Sequence, residues 1–148
     1  MAEAIGLIES VAGISQAGVQ LSQSLYLIAT RLVNAPKQVA EVADELALLS
    51  KIFGNLGETL KKARKLCKEE IISNAKSILM KFDALQKDVT ELIKKIRGFE
   101  GLKYAFGSSC ILDLMAKIAA LKSSMCLLLS TLKVAIEAEK SKRYGKAH

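Results

Sequence analysis

The sequence predicts an all-α protein, an up-down-up-down four-helix bundle with long helices. Its composition leaves little turn-forming sequence, because 51% of the 148 residues are hydrophobic and the chain has one Pro and nine Gly. Apolar residues recur at alternating spacings of three and four along four segments, which is typical of helices that pack through one stripe. Two of the connections are short and favour antiparallel neighbours. We expect a single domain over 1–148, with helices at about 4–33, 36–66, 69–97 and 108–142.

The first helix follows from an apolar stripe that runs through a stretch without charge from Ser10 to Thr30. Its members are Leu7, Val11, Ile14, Gly18, Leu21, Leu25, Ile28 and Leu32. A second stripe widens the face that we expect to be buried, and it consists of Ile5, Ile8, Ala12, Val19, Tyr26, Ala29 and Val33. No Lys or Arg precedes Arg31, which argues against a secretion signal. The interspersed Ser and Gln residues argue against a committed membrane span. We expect a core helix that is buried on more than one side.

The other three helices are predicted from their own stripes. These are Val39, Val42, Leu46, Leu49, Phe53, Leu56, Leu60 and Ala63; then Ile71, Ala75, Ile78, Phe82, Leu85, Val89, Leu92 and Ile96; then Ile111, Leu114, Ile118, Leu121, Met125, Leu128, Leu132 and Ala135. Asn34 can cap the second helix, which Pro36 begins, and Ser108 or Ser109 can cap the fourth. Gly98–Gly107 interrupts the periodicity. Glycines weaken helices, so Gly54 and Gly57 can kink the second one. For the same reason, Gly6, Gly13 and Gly18 make the first helix the easiest to open.

Catalytic and metal-binding patterns are absent from the sequence. The one histidine is the terminal His148, so acid–base chemistry has no evident base, and no glycine-rich phosphate loop occurs. The acidic pairs Glu69–Glu70 and Glu137 with Glu139 are expected on solvated faces. Cys67, Cys110 and Cys126 form no CxxC pair and are expected to be small core or boundary residues in a reducing compartment. The sequence therefore predicts a non-enzyme with no cofactor, metal or small-molecule substrate.

The charge pattern says more about partners. The formal net charge is +7, and basic residues cluster at three helix junctions. The clusters are Lys61, Lys62, Arg64, Lys65 and Lys68; Lys94, Lys95, Arg97 and Lys103; and Lys140, Lys142, Arg143 and Lys146. In an up-down-up-down bundle, the first and last clusters share the pole where the first helix begins. They can serve simply to complement helix C-terminal dipoles, or they can bind an anionic membrane surface around an apolar probe.

The candidate membrane-interaction residues combine that apolar probe with the nearest cations. They are Ile5, Leu7, Ile8, Val11, Ile14, Lys61, Lys62, Arg64, Lys65 and Lys68. Glu3 and Glu9 oppose the interaction, because they would face headgroups of like charge. Nucleic acid is not favoured as a partner, since only Phe99, Tyr104 and Phe106 accompany a basic cluster and no helix-turn-helix or zinc-finger spacing is present.

Several segments resemble a known family. The start "MAEAIGLI" with "SVAGISQAG", the segment "NAPKQVAEVADELALLSKIFGNL" and the segment "GLKYAFGSSCILDLMAKIAALKSSMCLLLSTL" are similar to the fungal N-terminal helical domains of STAND proteins, the NLR-like NTPases. The same regions resemble the related HeLo-like domains, and the resemblance extends over nearly the whole chain. Tyr104 departs from the pattern, because many relatives have Trp there.

The resemblance implies an effector or signalling domain at the front of a larger receptor that continues with a nucleotide-binding module and repeats. No P-loop occurs before His148, so we expect an excised domain or a stand-alone protein. HeLo-like members are associated with cell death at the plasma membrane, and their N-terminal segment is the membrane-active part. We therefore expect a cytoplasmic domain for cell-death or incompatibility signalling, which oligomerises and relocates to the plasma membrane. The alternative is an adaptor bundle that binds other protein domains or itself without contacting lipid.

Overall fold

The computed structural model describes residues 2–31, 37–97 and 110–147. Four long helices make up almost all of them: α1 Ala2–Arg31, α2 Lys37–Lys62, α3 Glu69–Arg97 and α4 Cys110–Ala147. These ranges contain no strand, so the all-α prediction is confirmed. The second helix ends earlier than expected, at Lys62, and a 3₁₀ turn at Arg64–Leu66 follows it. The predicted boundary residues Asn34, Pro36, Ser108 and Ser109 and the predicted break at 98–107 lie outside the described residues.

The predicted stripes of α2, α3 and α4 form the core. Every predicted α2 position from Val39 to Ala63 is buried, and the α3 and α4 stripes are buried except for the half-buried Ile71 and Ala135. The opposite faces of α2 and α3 carry Lys, Glu and Asp. Burial of the apolar stripe and solvation of the charged face therefore both turn the same side of each helix toward the core. At the centre, Phe53 of α2 meets Phe82 of α3 edge to face, with ring centroids 5.0 Å apart.

Two helix pairs are antiparallel. Ser15 of α1 bonds Ser50 of α2, whereas Val11 lies against Gly57, so the numbers rise along one helix as they fall along the other. Residues 81–88 of α3 face residues 117–124 of α4, and residues 70–81 of α3 face residues 124–131 of α4. The numbers fall along α3 as they rise along α4, so this pair is antiparallel as well.

The other two neighbouring pairs are parallel. Glu3 and Ile14 of α1 contact Lys76 and Gln86 of α3 in rising order. For α2 and α4 the contacts are Glu45 with Lys122 and then 61–66 with 136–143. The helices therefore follow each other around the bundle in the order α1, α2, α4, α3.

This order places α2 and α3 across the diagonal from each other, although only residues 63–68 join them. The expectation that both short connections join neighbouring helices holds for α1 with α2 and is wrong for α2 with α3. Phe53 and Phe82 meet across this diagonal at the centre of the bundle.

The second stripe of α1 is the main correction to the predicted core. The first stripe packs inward as expected, with Leu7, Val11 and Leu25 buried. In the second stripe, Ile5 is 44% exposed and Tyr26 is 51% exposed, and Ala12 and Val19 are also exposed. The described part of α1 is thus buried on one side only. Val33 and Leu32 lie outside the described residues.

Two glycines allow α1 to lie close to its neighbours. A Cβ on the buried Gly18 would collide with the Ser50 Oγ and lie 3.1 Å from Phe82 Cζ, and a Cβ on Gly57 would lie 2.9 Å from Val11 Cγ1. α2 continues as a helix through Gly57, which therefore serves close packing. By contrast, a Cβ on Gly13 would meet nothing within 4 Å. Helix propensity alone does not reveal this difference between Gly18 and Gly13.

Candidate functional site

Basic side chains converge at one end of the bundle, because the parallel helices α2 and α4 both end there. We call this set the basic pole. Its members are Lys61, Lys62, Arg64, Lys65, Lys68, Lys140, Lys142 and Arg143, and all of them are exposed. Six of the eight line an open cavity of about 550 Å³, which is completed by Leu66, Ile136 and Glu139. The structure therefore brings the first and last predicted clusters together. The side chain of Lys146 is outside the described residues.

The other half of the same end holds the starts of α1 and α3. Their first turns carry Glu3, Glu69 and Glu70, which complement the positive dipole ends of the two helices. Glu3 Oε1 lies 3.7 Å from Lys76 Nζ. At this end of the molecule the basic residues thus lie mainly under α2 and α4, in a basic half, and the three carboxylates lie in an acidic half under α1 and α3, where Lys68 at the start of α3 is the basic exception.

Helix dipoles explain why Lys61 and Lys62 stand in the last turn of α2. They do not by themselves explain why two such helix ends surround one cavity. Within residues 2–31, 37–97 and 110–147, no member of the basic pole takes part in an ion pair. Apart from the wall residue Glu139, the cavity therefore presents positive charge, which suits an anionic group.

The predicted apolar candidates on α1 divide between core and surface. Leu7 and Val11 are buried, Ile8 and Ile14 are half-buried, and Ile5 is exposed. Leu7 and Val11 can reach another surface only if α1 leaves the bundle. Ile5 already faces outward at the end of the bundle that bears the basic pole.

The outward face of α1 has no charged residue between Ser10 and Thr30. Val19, Tyr26 and Leu27 are exposed on the same stretch. By length and composition Glu3–Thr30 is apolar enough to cross a membrane, and 22% of its most apolar window is buried. The inner side of α1 packs in the bundle, whereas its outer side is uncharged and mixes these apolar residues with exposed Ser, Gln and Thr.

Polar contacts hold the middle of α1. Ser15 Oγ donates a hydrogen bond to the Ser50 carbonyl at 2.8 Å, and Gln86 Nε2 donates one to the Ile14 carbonyl at 2.8 Å. Gln86 is buried, so losing its acceptor would leave an amide without a partner in the core. These contacts were not predicted from the sequence. Gln86, a polar residue next to the stripe residue Leu85 of α3, was a sequence signal that could have indicated a buried hydrogen bond.

The other reactive groups that the structure describes include two cysteines and a surface lysine. The Cys67 thiol is half-buried and donates to the Ala63 carbonyl, and burial raises its pKa, which keeps it protonated at neutral pH. Cys126 is exposed rather than in the core, and the side chain of Cys110 is not described. Lys117 on the surface donates hydrogen bonds to the Asp88 and Asp113 carboxylates, which raise its pKa. In the described ranges, no three His, Cys, Asp or Glu side chains are grouped as metal ligands are.

The fold and this end of the molecule define a four-helix bundle with one strongly basic pole. No known protein family model matches the chain, and no curated protein matches it. Among solved structures, the soluble domain of IncA, a chlamydial protein, is similar in fold. The similarity covers 99% of this chain and 95% of that one, with a TM-score of 0.64 and 17% sequence identity. At that identity the likeness shows the helical-bundle fold alone, and the HeLo-like resemblance stays a prediction.

Proposed function

We propose that the chain is a helical effector domain that associates with anionic membranes. The basic pole holds the headgroups, and α1 supplies the apolar element that enters the lipid after the domains have clustered. The observation that carries the proposal is the convergence of two basic helix ends around one cavity, at the end of the bundle where α1 begins. α1 carries Glu3 and Glu9 near this end and no charge from Ser10 to Thr30. The HeLo-like resemblance supports a role in fungal cell-death or incompatibility signalling, with recruitment from cytoplasm to plasma membrane.

Charge reversal at the basic pole is expected to weaken binding to anionic vesicles strongly. Each basic residue near an anionic surface is worth about 1 kcal/mol, so the triple variant Lys61→Glu, Lys65→Glu, Arg143→Glu should bind at least about 100-fold more weakly. Co-sedimentation with phosphatidylserine-containing vesicles measures the change, and phosphatidylcholine vesicles give the background. All three side chains are exposed, so the fold should be retained.

The matched control reverses three exposed lysines at or near the opposite end, Lys37→Glu, Lys94→Glu and Lys95→Glu. It changes the net charge by the same amount. Equal losses in the two triple variants would mean that only net charge matters, and the assignment to the basic pole would be wrong. Absence of binding by the parent protein would instead favour the adaptor function.

A reversible cross-link tests whether α1 leaves the bundle. A Cβ on Gly54 would lie 3.1 Å from Ser15 Oγ, so Ser15→Cys with Gly54→Cys places two Cβ atoms within disulfide range of about 3.5–4.5 Å. In a background without Cys67, Cys110 and Cys126, we expect the oxidised protein to bind vesicles normally. Its dye leakage should fall at least about tenfold, because opening of α1 is suppressed.

Reduction of the same sample supplies the control, since it should restore leakage without any other change. Equal leakage before and after reduction would show that α1 acts without leaving the bundle or does not act at all. Vesicle binding without leakage in the parent would limit the function to surface association and remove the insertion step.

A further inference from the structure

The outward face of α4 carries an uncharged strip that none of the other three described helices covers. Its positions are Leu112, Ala116, Ala119, Ser123, Leu127, Ser130 and Val134, and all seven are exposed. The three large members are strongly so, with Leu112 at 70%, Leu127 at 71% and Val134 at 69%. On α2 and α3 the outward faces carry Lys, Glu and Asp at most comparable positions. Exposure to water alone therefore does not explain why these seven positions carry no charge.

The spacing of the strip is symmetric about its centre. Successive positions are separated by 4, 3 and 4 residues on each side of Ser123. Because each half spans eleven residues, about 3.67 per turn, the strip runs nearly straight along the helix. Laid antiparallel on a second copy, Leu112 falls opposite Val134 and Leu127 falls opposite the small Ala119. In this register Leu127 meets a small residue near the twofold axis, and the large residues Leu112 and Val134 meet each other at the two ends of the strip.

We propose that this strip is a self-association surface, on which α4 of one copy packs antiparallel against α4 of a second copy with Ser123 at the twofold axis. The net charge of +7 opposes contact between two copies, and the strip lets them meet along a line of positions that carry no charge. The inference rests on the oligomerisation included in the proposed function and names the surface responsible. It does not depend on lipid binding.

The size of the surface sets the strength of the dimer. A strip about 33 Å long and about 10 Å wide covers on the order of 300–400 Å² per copy, which belongs with weak, transient interfaces. The isolated domain should be largely monomeric when dilute and should dimerise when concentrated or when held together on a surface. This is the behaviour expected of a domain that responds to clustering.

Cysteine scanning tests the register. In a background where Cys67, Cys110 and Cys126 are replaced, Ser123→Cys should form a disulfide-linked dimer under mild oxidation. Val134→Cys should form at least about tenfold less, because its mate lies about 33 Å away in the antiparallel pair. Equal cross-linking at both positions would indicate parallel pairing and contradict the antiparallel register. If Ser123→Cys cross-linked no more than Met80→Cys on α3, the strip would not be a self-association surface. Met80 is 72% exposed and makes a fair reference.

Sedimentation velocity tests the interaction without cross-links. At concentrations up to about 1 mM the parent should show a reversible shift to dimer, Leu127→Glu should remain monomeric, and Met80→Glu should behave as the parent does. A parent that stays monomeric throughout this range overturns the proposal. Vesicle binding by Leu127→Glu should be unchanged, so failure of the dimer and failure of the membrane function are distinguishable.

Discussion

Replacing Phe53 with Ala is expected to lower the free energy of unfolding by about 3–5 kcal/mol. The side chain is fully buried on α2 and meets Phe82 of α3 across the diagonal, so truncation leaves a cavity where the four helices converge. The loss is a large share of the about 5–15 kcal/mol that stabilises typical domains. Urea unfolding followed by circular dichroism at 222 nm, a helix signal, measures it.

Leu48→Ala on the same helix is the control, because Leu48 is half-exposed and its truncation should cost well under half as much. The double variant with Phe82→Ala should reveal a coupling of about 0.5–1.5 kcal/mol between the two rings. A loss below about 1 kcal/mol in Phe53→Ala would contradict the packing of the bundle centre.

Leucine at Gly18 and leucine at Gly13 should change stability in opposite directions. At Gly18 the new side chain would collide with Ser50 and press on Phe82, and relief requires α1 to move outward, at a cost of about 3 kcal/mol. At Gly13 the space is open, and replacing Gly by a good helix former should stabilise the protein by up to about 1 kcal/mol.

The two variants carry the same substitution on the same helix, so each is the control for the other in thermal and urea unfolding. Hydrogen exchange should show the difference in the amides of α1 first, because that helix must shift to relieve the collision. If Gly18→Leu were as stable as Gly13→Leu, the close approach of α1 to its neighbours at Gly18 would be wrong, and a large loss in Gly13→Leu would contradict the open space there.

The sequence predicted the core of α2, α3 and α4 nearly residue by residue. In α2 and α3, charged residues on the opposite face mark which side meets water, so the stripe through Phe53 or Phe82 could be assigned without a structure. In α1 that marker is missing. Ile5 and Tyr26 fit an apolar stripe as well as Leu7 does, and spacing alone does not say that no helix covers them. The uncharged strip of α4 was missed for the same reason.

Tertiary placement explains the other misses. Periodicity shows that a helix has an inner face, but it does not show which helix lies beside it, so the diagonal position of α2 and α3 could not be predicted. The convergence of the basic clusters could be predicted, because it depends only on helix direction. The contacts of Gln86 with Ile14 and of Gly18 with Ser50 depend on the register between helices, which local sequence does not encode.

The division of one end of the bundle into a basic and an acidic half has a consequence for how the molecule approaches a charged layer. The two halves form a dipole across the bundle axis, and such a field orients a protein before contact. The edge formed by α2 and α4 would arrive first, with the bundle tilted. Glu3, Glu69 and Glu70 would then stand back by about one helix spacing, 8–10 Å. At physiological ionic strength the Debye length is about 8 Å, so salt would largely screen these carboxylates from the layer while Lys65 and Arg143 touch it. In this orientation the acidic residues would help to orient the protein on the charged layer without preventing contact.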